Sequence, residues 1–208
     1  MSILTQEQTK RIADRVLSLS KADECIVGVE GNRIGNIRFA RNAVSTAGLA
    51  DDTRVQVQVA FGKRQGTATI NEFDDKSLER AVRRAEDLAR LAPENPEFMP
   101  AIAKTGYKGS ETFVPATSAI DPEYRAQAAA YAMEACRKKG LVAAGFFTDR
   151  SSFETVANSN GVFGHQTATS LDFTCTVRTE DGRGSGWVGR NLKDANAFKA
   201  DSDIRTAT

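Results

Sequence analysis

Displaced by about 118 residues, the chain falls on itself element by element, and that order constrains its fold more than any single motif does. A helix pattern overlies a helix pattern, Asn42 overlies Asn160, the strand around Val55 overlies the strand around Phe173, and Gly66 overlies Gly184. Identity between the halves is low, so order and spacing carry the reading. They predict an α+β fold: two similar helix–antiparallel-sheet–helix units in tandem, with mixed or antiparallel sheets and helices packed on one face. Residues 1–92 form the first unit, 93–120 a proline-containing linker, and 121–208 the second.

The elements follow from local pattern. Ile12, Ala13, Val16, Leu17 and Leu19 recur at helical spacing between Thr5 and Ser20, with Thr5 and Gln8 placed for a capping box. Cys25–Glu30 and Ile37–Ala40 read as short strands around a Gly31-Asn32 turn, and Arg54–Phe61 alternates so that Val55, Val57 and Val59 face a core. A strand over Gly66–Ile70 leads to Asp74-Asp75, which cap a helix carrying Leu78, Ala81, Val82, Ala85, Leu88 and Ala89 until Pro93 ends it. Prolines 93, 96, 100 and 115 then mark the surface linker. Asp121-Pro122 has the cap-plus-first-turn-proline form of a helix start, and Lys138-Lys139-Gly140 stops that helix. Leu141–Phe147, Glu154–Asn158, Val162–Thr169, Phe173–Arg178 and Ser185–Gly189 read as strands, with a hairpin turn at Asn160-Gly161. The repeat predicts that Asp194–Thr208 begins a helix equivalent to the one after Asp75, and that the chain stops partway through it.

Charge and hydropathy narrow the function. The 28 basic residues balance 27 acidic ones, so the electrostatic footprint of a nucleic-acid binder is missing. Met1–Lys10 is polar, and no apolar run has membrane-spanning length. Both observations point to a cytoplasmic protein. Cys25, Cys136 and Cys175 are odd in number, far apart and set among apolar neighbours, which predicts buried free thiols in a reducing compartment.

No catalytic, cofactor-binding or metal-ligating residue emerges from the pattern. A hydrolytic zinc site needs clustered ligands, such as two histidines on one helix face, and the chain has a single histidine. His165 sits in the alternating Val-Phe-Gly-His-Gln-Thr segment and reads as a structural, hydrogen-bonded or exposed side chain. Ser185 lies in Gly182-Arg-Gly-Ser-Gly186 ahead of a strand, not in an elbow that opens a helix, so its glycines predict a hairpin. Gly62-Lys-Arg-Gln-Gly-Thr67 lacks the following helix of a phosphate cradle and reads as a turn. Asp51 and Asp52 likewise read as a turn. The Arg54–Phe61 and Phe173–Arg178 strands carry Gln, Thr and Arg opposite their apolar residues, and either could accept an extended peptide if it lay at a sheet edge.

Arg38-Phe-Ala-Arg-Asn42, Phe61-Gly-Lys-Arg-Gln-Gly66, Ala89-Arg-Leu-Ala-Pro-Glu-Asn-Pro96, Ser159-Asn-Gly-Val-Phe163 and Gly184-Ser-Gly-Trp-Val-Gly-Arg-Asn191 resemble the N-terminal part of TldD/PmbA (TldE) proteins over essentially the whole chain, more on the PmbA side. The resemblance implies a cytoplasmic metallopeptidase system, historically labelled a modulator of DNA gyrase, in which paired subunits enclose a cavity and process unfolded or leader peptides. It also implies a zinc site, H-E-x-x-x-H plus a distant cysteine, in the C-terminal region of the metal-bearing subunit. No residue here matches that motif. The expected role is therefore a scaffold and substrate-chamber region, inactive alone, that meets a homo- or heterodimeric partner subunit and unfolded peptide but neither nucleic acid nor membrane. The alternative is a non-enzymatic peptide-binding or assembly module.

Overall fold

The computed structural model describes residues 3–106 and 108–208. Chain order runs α1 (Gln6–Leu19), β1 (Glu24–Ala40), β2 (Ala43–Phe61), β3 (Arg64–Ile70), α2 (Asp75–Leu91), α3 (Pro115–Ser118), α4 (Pro122–Arg137), β4 (Leu141–Asn158), β5 (Phe163–Thr179), β6 (Ser185–Leu192), a 3-10 turn at Ala195–Ala197, and α5 (Ala200–Arg205). The strands form one six-stranded antiparallel sheet in the order β3-β2-β1-β4-β5-β6. That order is a palindrome of the repeat: a helix and a three-stranded meander, then the same again in reverse across β1 and β4. Within each half, sheet register fixes the equivalence. Val59 pairs with Gly66 in the first, and Val177 pairs with Gly186 in the second. Gly66 therefore corresponds to Gly186, not to Gly184, because the second hairpin loop, Glu180–Gly184, is longer than Gly62-Lys63. Both glycines have the same job. A Cβ on Gly66 would overlap backbone atoms of Ala85 and Ala89 in α2, and one on Gly186 would overlap the carbonyl of Ala207 just beyond α5.

The chain divides into two compact units, one comprising Met1–Asn32, Asp52–Ser110 and Ser152–Thr167, the other Arg33–Asp51, Glu111–Ser151 and Ala168–Thr208.

In the first unit, α1 starts on its capping box, with Gln8 N–H donating to Thr5 Oγ1 (3.2 Å) and Thr5 N–H to Gln8 Oε1 (2.9 Å). Asp74 caps α2 by accepting from the amides of Lys76 and Ser77. The odd-numbered positions Val27, Val29, Val55 and Val57 are fully buried against Val16, Val82 and Ala85 of the two helices. Glu86 is buried in α2, where Arg83 meets it at 2.6 Å and the Lys21 amide donates to it at 2.6 Å, so its charge is spent closing the end of α1.

In the second unit, Asp121 caps α4 through the Tyr124 amide (2.8 Å), and Pro122 occupies the first turn. Ile37, Phe39, Phe147, Leu171 and Phe173 pack under Ala128 and Ala132, and Phe198 lies against Phe147 and Phe173 with ring centroids 5.7 and 5.1 Å away. Asn42 fixes the β1–β2 tip. Its φ is +58°, its Oδ1 accepts from Ala143 N–H, and its Nδ2 donates to Leu141 O, both at 2.8 Å.

Several turns expected from the sequence lie inside strands. Gly31-Asn32 is in mid-β1, and Gly31 is a glycine because a Cβ there would sit 2.6 Å from both the Phe153 ring and Thr53 Oγ1. Asp51 and Asp52 continue β2, and the polar run Asp149-Arg150-Ser151, which the sequence leaves between two separate strands, continues β4. Polar residues at these positions imitate turn signals, yet Asp149 and Ser151 are buried with partners, Arg125 and Ser118. The expected turns of the shorter loops hold: Gly62 and Gly182 have φ of +55° and +72°, and Ser185 opens β6.

Candidate functional site

Alternation along the strands leaves Glu24, Ile26, Gly28 and Glu30 of β1, Gln56 and Gln58 of β2, and Glu154 and Val156 of β4 on the side of the first unit's sheet away from its helices. A strap from residues 94 to 102 crosses it. The strap is tied through its backbone: Asn95 N–H donates to Lys63 O (3.0 Å), Ala101 N–H to Glu24 Oε2 (2.8 Å), Asn158 Nδ2 to Ile102 O (2.8 Å) and Asn160 Nδ2 to Ala101 O (2.7 Å). Because the ties use main chain, the apolar side chains of the strap stay outside the core, with Met99 83% and Ile102 66% exposed.

Between strap and sheet lies a cavity of about 250 Å³ lined by Ile26, Gln58, Phe98, Met99, Ile102 and Val156. It continues along Ile26, Gln58 and Val156 into a recess of about 330 Å³ bounded by Glu30, Gln56 and Glu154. Glu154 and Val156 then lead to a more polar recess of about 370 Å³ with Lys108, Ser110 and His165 on its walls. The three make one groove, apolar at the strap and polar at the far end. Its chemistry suits an extended chain, with apolar side chains seated near Met99 and amides met by glutamine and glutamate.

His165 borders that groove but is tied back from it. Its Nδ1 lies 2.8 Å from Thr155 Oγ1 and 3.2 Å from Thr9 Oγ1, and its ring stacks on Phe153 at 6.3 Å. Burial holds its pKa below the usual histidine value, so the ring is neutral at pH 7.

The three cysteines are free and buried. Burial pushes Cys25 up to about 11 and Cys175 to about 12, the latter helped by Cys136, whose own thiol burial also raises. A thiolate is the reactive form. Ellman's reagent at pH 8 is therefore expected to find no fast-reacting thiol in the folded chain and all three after denaturation; rapid labelling of any one would contradict this burial.

Among the described residues, no group of three or more His, Cys, Asp or Glu side chains is placed to hold a metal ion. None of the described helices is long and apolar enough to cross a membrane. The two strands that could accept an added peptide strand if they lay at a sheet edge are not edges over these stretches. Val55–Phe61 lies between β1 and β3, and Leu171–Arg178 between β4 and β6, so their main-chain groups are already paired on both sides. The groove and its strap were missed in the sequence because the strap has no periodicity, and its asparagine ties (Asn95, Asn158, Asn160) look like ordinary turn residues.

The comparisons with known proteins agree on the fold. Residues 25–89 match the family model of PmbA/TldA metallopeptidase domain 1, and residues 115–207 match that of the PmbA/TldA metallopeptidase central domain. No curated protein matches the chain by sequence. TldE from Thermococcus kodakarensis superposes with a TM-score of 0.83 at 14% identity, over 96% of this chain and 46% of that one. A Thermotoga maritima protein put forward as a modulator of a DNA gyrase gives 0.84 at 15% identity, over 96% and 46%. A Bacteroides thetaiotaomicron protein put forward in the same role gives 0.79 at 14%, over 99% and 49%. The chain spans about half the length of these structures. With both models matching in order across most of its length, the chain belongs to the PmbA/TldD family and carries the family's first and central domains.

Proposed function

We propose that this chain is the scaffold and substrate-chamber region of a PmbA/TldD-type metallopeptidase system that acts on unfolded or leader peptides in the cytoplasm. It does not cut a peptide bond alone. The observation that supports this reading is the groove beneath the strap, long enough for an extended chain, beside which no group of three or more His, Cys, Asp or Glu among the described residues is placed to hold a metal. Zinc, the metal implied by the family resemblance, does not fit the donors here: the one imidazole is engaged by two hydroxyls, and the thiols are buried and protonated. Another part of the system supplies the metal, and a homo- or heterodimeric partner subunit completes the chamber. Any effect on gyrase is indirect, since 28 basic residues against 27 acidic ones give the chain little net attraction for DNA.

The test uses the purified 208-residue chain. With a disordered peptide and added zinc, no hydrolysis is expected; hydrogen exchange should show the strap and the Glu24–Glu30 segment protected by the peptide, and a metal-bearing family subunit should co-elute with the chain. Zinc retained in stoichiometric amount with turnover of peptide would overturn the reading. Peptide protection without recruitment of any family subunit would favour the non-enzymatic binding module instead, for which the metal-free groove is sufficient.

A further inference from the structure

A glycine inside a strand needs a reason, since it weakens the strand and leaves no side chain to pack. In the first unit Gly31 and Gly66 have one: a Cβ at either would stand within 2.6 Å of an atom of another segment. Gly28, in mid-β1, has none. A Cβ there would meet only Gln56 Cβ, at 3.9 Å, which is an ordinary contact, and its φ is not positive. Alternation turns Gly28 to the side of the sheet away from the helices, where it forms the floor of the recess of about 330 Å³. The side chain given up at position 28 therefore makes room in the groove, as strand glycines do where a ligand comes close to the backbone.

The walls of the recess select what fills it. Ile26 and Val156 supply apolar surface that continues from the cavity under the strap. Glu30 and Glu154 supply two carboxylates, and among the described residues no basic side chain lines the recess. Arg54 holds Glu30 at 2.6 Å, but with side chains 55% and 38% exposed that pair is a weak one. Glu154 is exposed and has no partner among the described residues. Lys108 shares only the neighbouring polar recess with it. Apolar surface with carboxylates beside it matches a long side chain whose methylene stem ends in a cation, which is lysine or arginine. A glutamate in the same place would face two like charges, and a wholly apolar side chain would strip water from them without compensation.

We propose that the Gly28 recess is a subsite for a basic side chain: an extended peptide seats a lysine or arginine over Gly28, its stem along Ile26 and Val156 and its charge beside Glu30 and Glu154, with an apolar neighbour under the strap. The groove thus selects unfolded segments in which a basic residue adjoins apolar ones. Glu154 sets the preference, because Glu30 shares its carboxylate with Arg54. The subsite rests on the chamber reading and adds to it the class of peptide that the groove takes.

Fluorescence anisotropy of the 208-residue chain with labelled disordered peptides that differ at one leucine-flanked position, carrying lysine, norleucine or glutamate there, reads the preference directly. The lysine peptide is expected to bind about fivefold tighter than the norleucine peptide, by an advantage that shrinks with added salt, and the glutamate peptide to bind weakest. Glu154→Gln should bring the lysine peptide down towards the norleucine level, and Glu154→Lys should turn the preference to glutamate. Gly28→Val puts a side chain into the recess and should weaken the lysine and norleucine peptides alike, with thermal stability held or raised because valine suits a strand better than glycine. Equal affinity for lysine and norleucine, or a lysine preference that survives either Gly28→Val or Glu30→Gln combined with Glu154→Gln, overturns the subsite and leaves the chamber reading standing. If none of the peptides binds, the chamber reading fails and the subsite fails with it.

Discussion

Methionine in place of Arg125 is expected to lower the unfolding free energy by about 3–5 kcal/mol, a large share of the stability of any single domain. Arg125 of α4 donates to Asp149 of β4 at 2.6 Å, with side chains only 4% and 11% exposed. Gly35 makes room for it, since a Cβ there would overlap the guanidinium. The loss comes less from the missing ion pair than from the buried carboxylate left behind with only the charge of Arg33 to offset it. Leucine at position 149 in the same chain should therefore recover most of the loss, because the double variant buries no uncompensated charge. Burial raises the Asp149 carboxyl above its ordinary value of 3.8, and Arg125 opposes that rise. Without Arg125 the rise is larger. A group whose folded pKa exceeds its unfolded one favours the folded state below the unfolded value and loses that advantage as pH climbs through the folded value. The Arg125→Met penalty should accordingly shrink between pH 7 and pH 4, which urea unfolding at the two pH values would measure. A penalty that grew on acidification, or a double variant as unstable as the single one, would show that this pair does not act as described.

Alanine at Phe147 is expected to cost about 3–5 kcal/mol, while alanine at the adjacent Phe146 costs about 1 kcal/mol or less. Phe147 is fully buried and stands at the centre of an aromatic cluster, 6.0 Å from Tyr124, 6.4 Å from Phe173 and 5.7 Å from Phe198. Removing its ring empties a space that three other aromatic side chains cannot jointly collapse to fill. Phe146 points to the other side of β4, half-buried, with the Arg38 guanidinium 5.4 Å from its ring. Two phenylalanines side by side thus report on strand register. Equal losses at the two positions in chemical denaturation would mean that β4 does not alternate as drawn here.

Much of the fold was legible because its signals are local. The caps at Thr5, Asp74 and Asp121, the positive-φ glycines at 62, 140 and 182, and the valine alternation of β2 each depend on residues a few positions apart. The repeat was legible for the same reason, since it compares local patterns at a fixed displacement. What misled was polarity within strands. Asp51-Asp52, Asp149 to Ser151 and Gly31-Asn32 carry the composition of turns, and only their distant partners, such as Arg125 for Asp149 and Phe153 for Gly31, reveal why they are tolerated in extended chain.

For the candidate site, the sequence supplied exclusions more readily than location. A lone imidazole and scattered thiols were visible at once. The groove was not, because it is made by a strap without periodicity whose carbonyls and amides are caught by Glu24, Asn158 and Asn160, far along the chain. Sheet-edge status was also hidden. Sequence alternation tells which side chains face the core, but whether a strand has one neighbour or two depends on the length of the strands beside it, and here β3 and β6 stop short of their partners' full extent.

By itself, then, the sequence determined the kinds and order of the elements, the duplicated plan, the apolar faces and the single histidine with its scattered thiols, since each is written in short-range spacing and residue type. The tertiary structure alone decided which strands have a neighbour on both sides, where the strap crosses the sheet, and which buried charges are satisfied. These depend on contacts between residues tens of positions apart, whose free energy is set by packing and desolvation at the meeting point and leaves no mark on either local pattern.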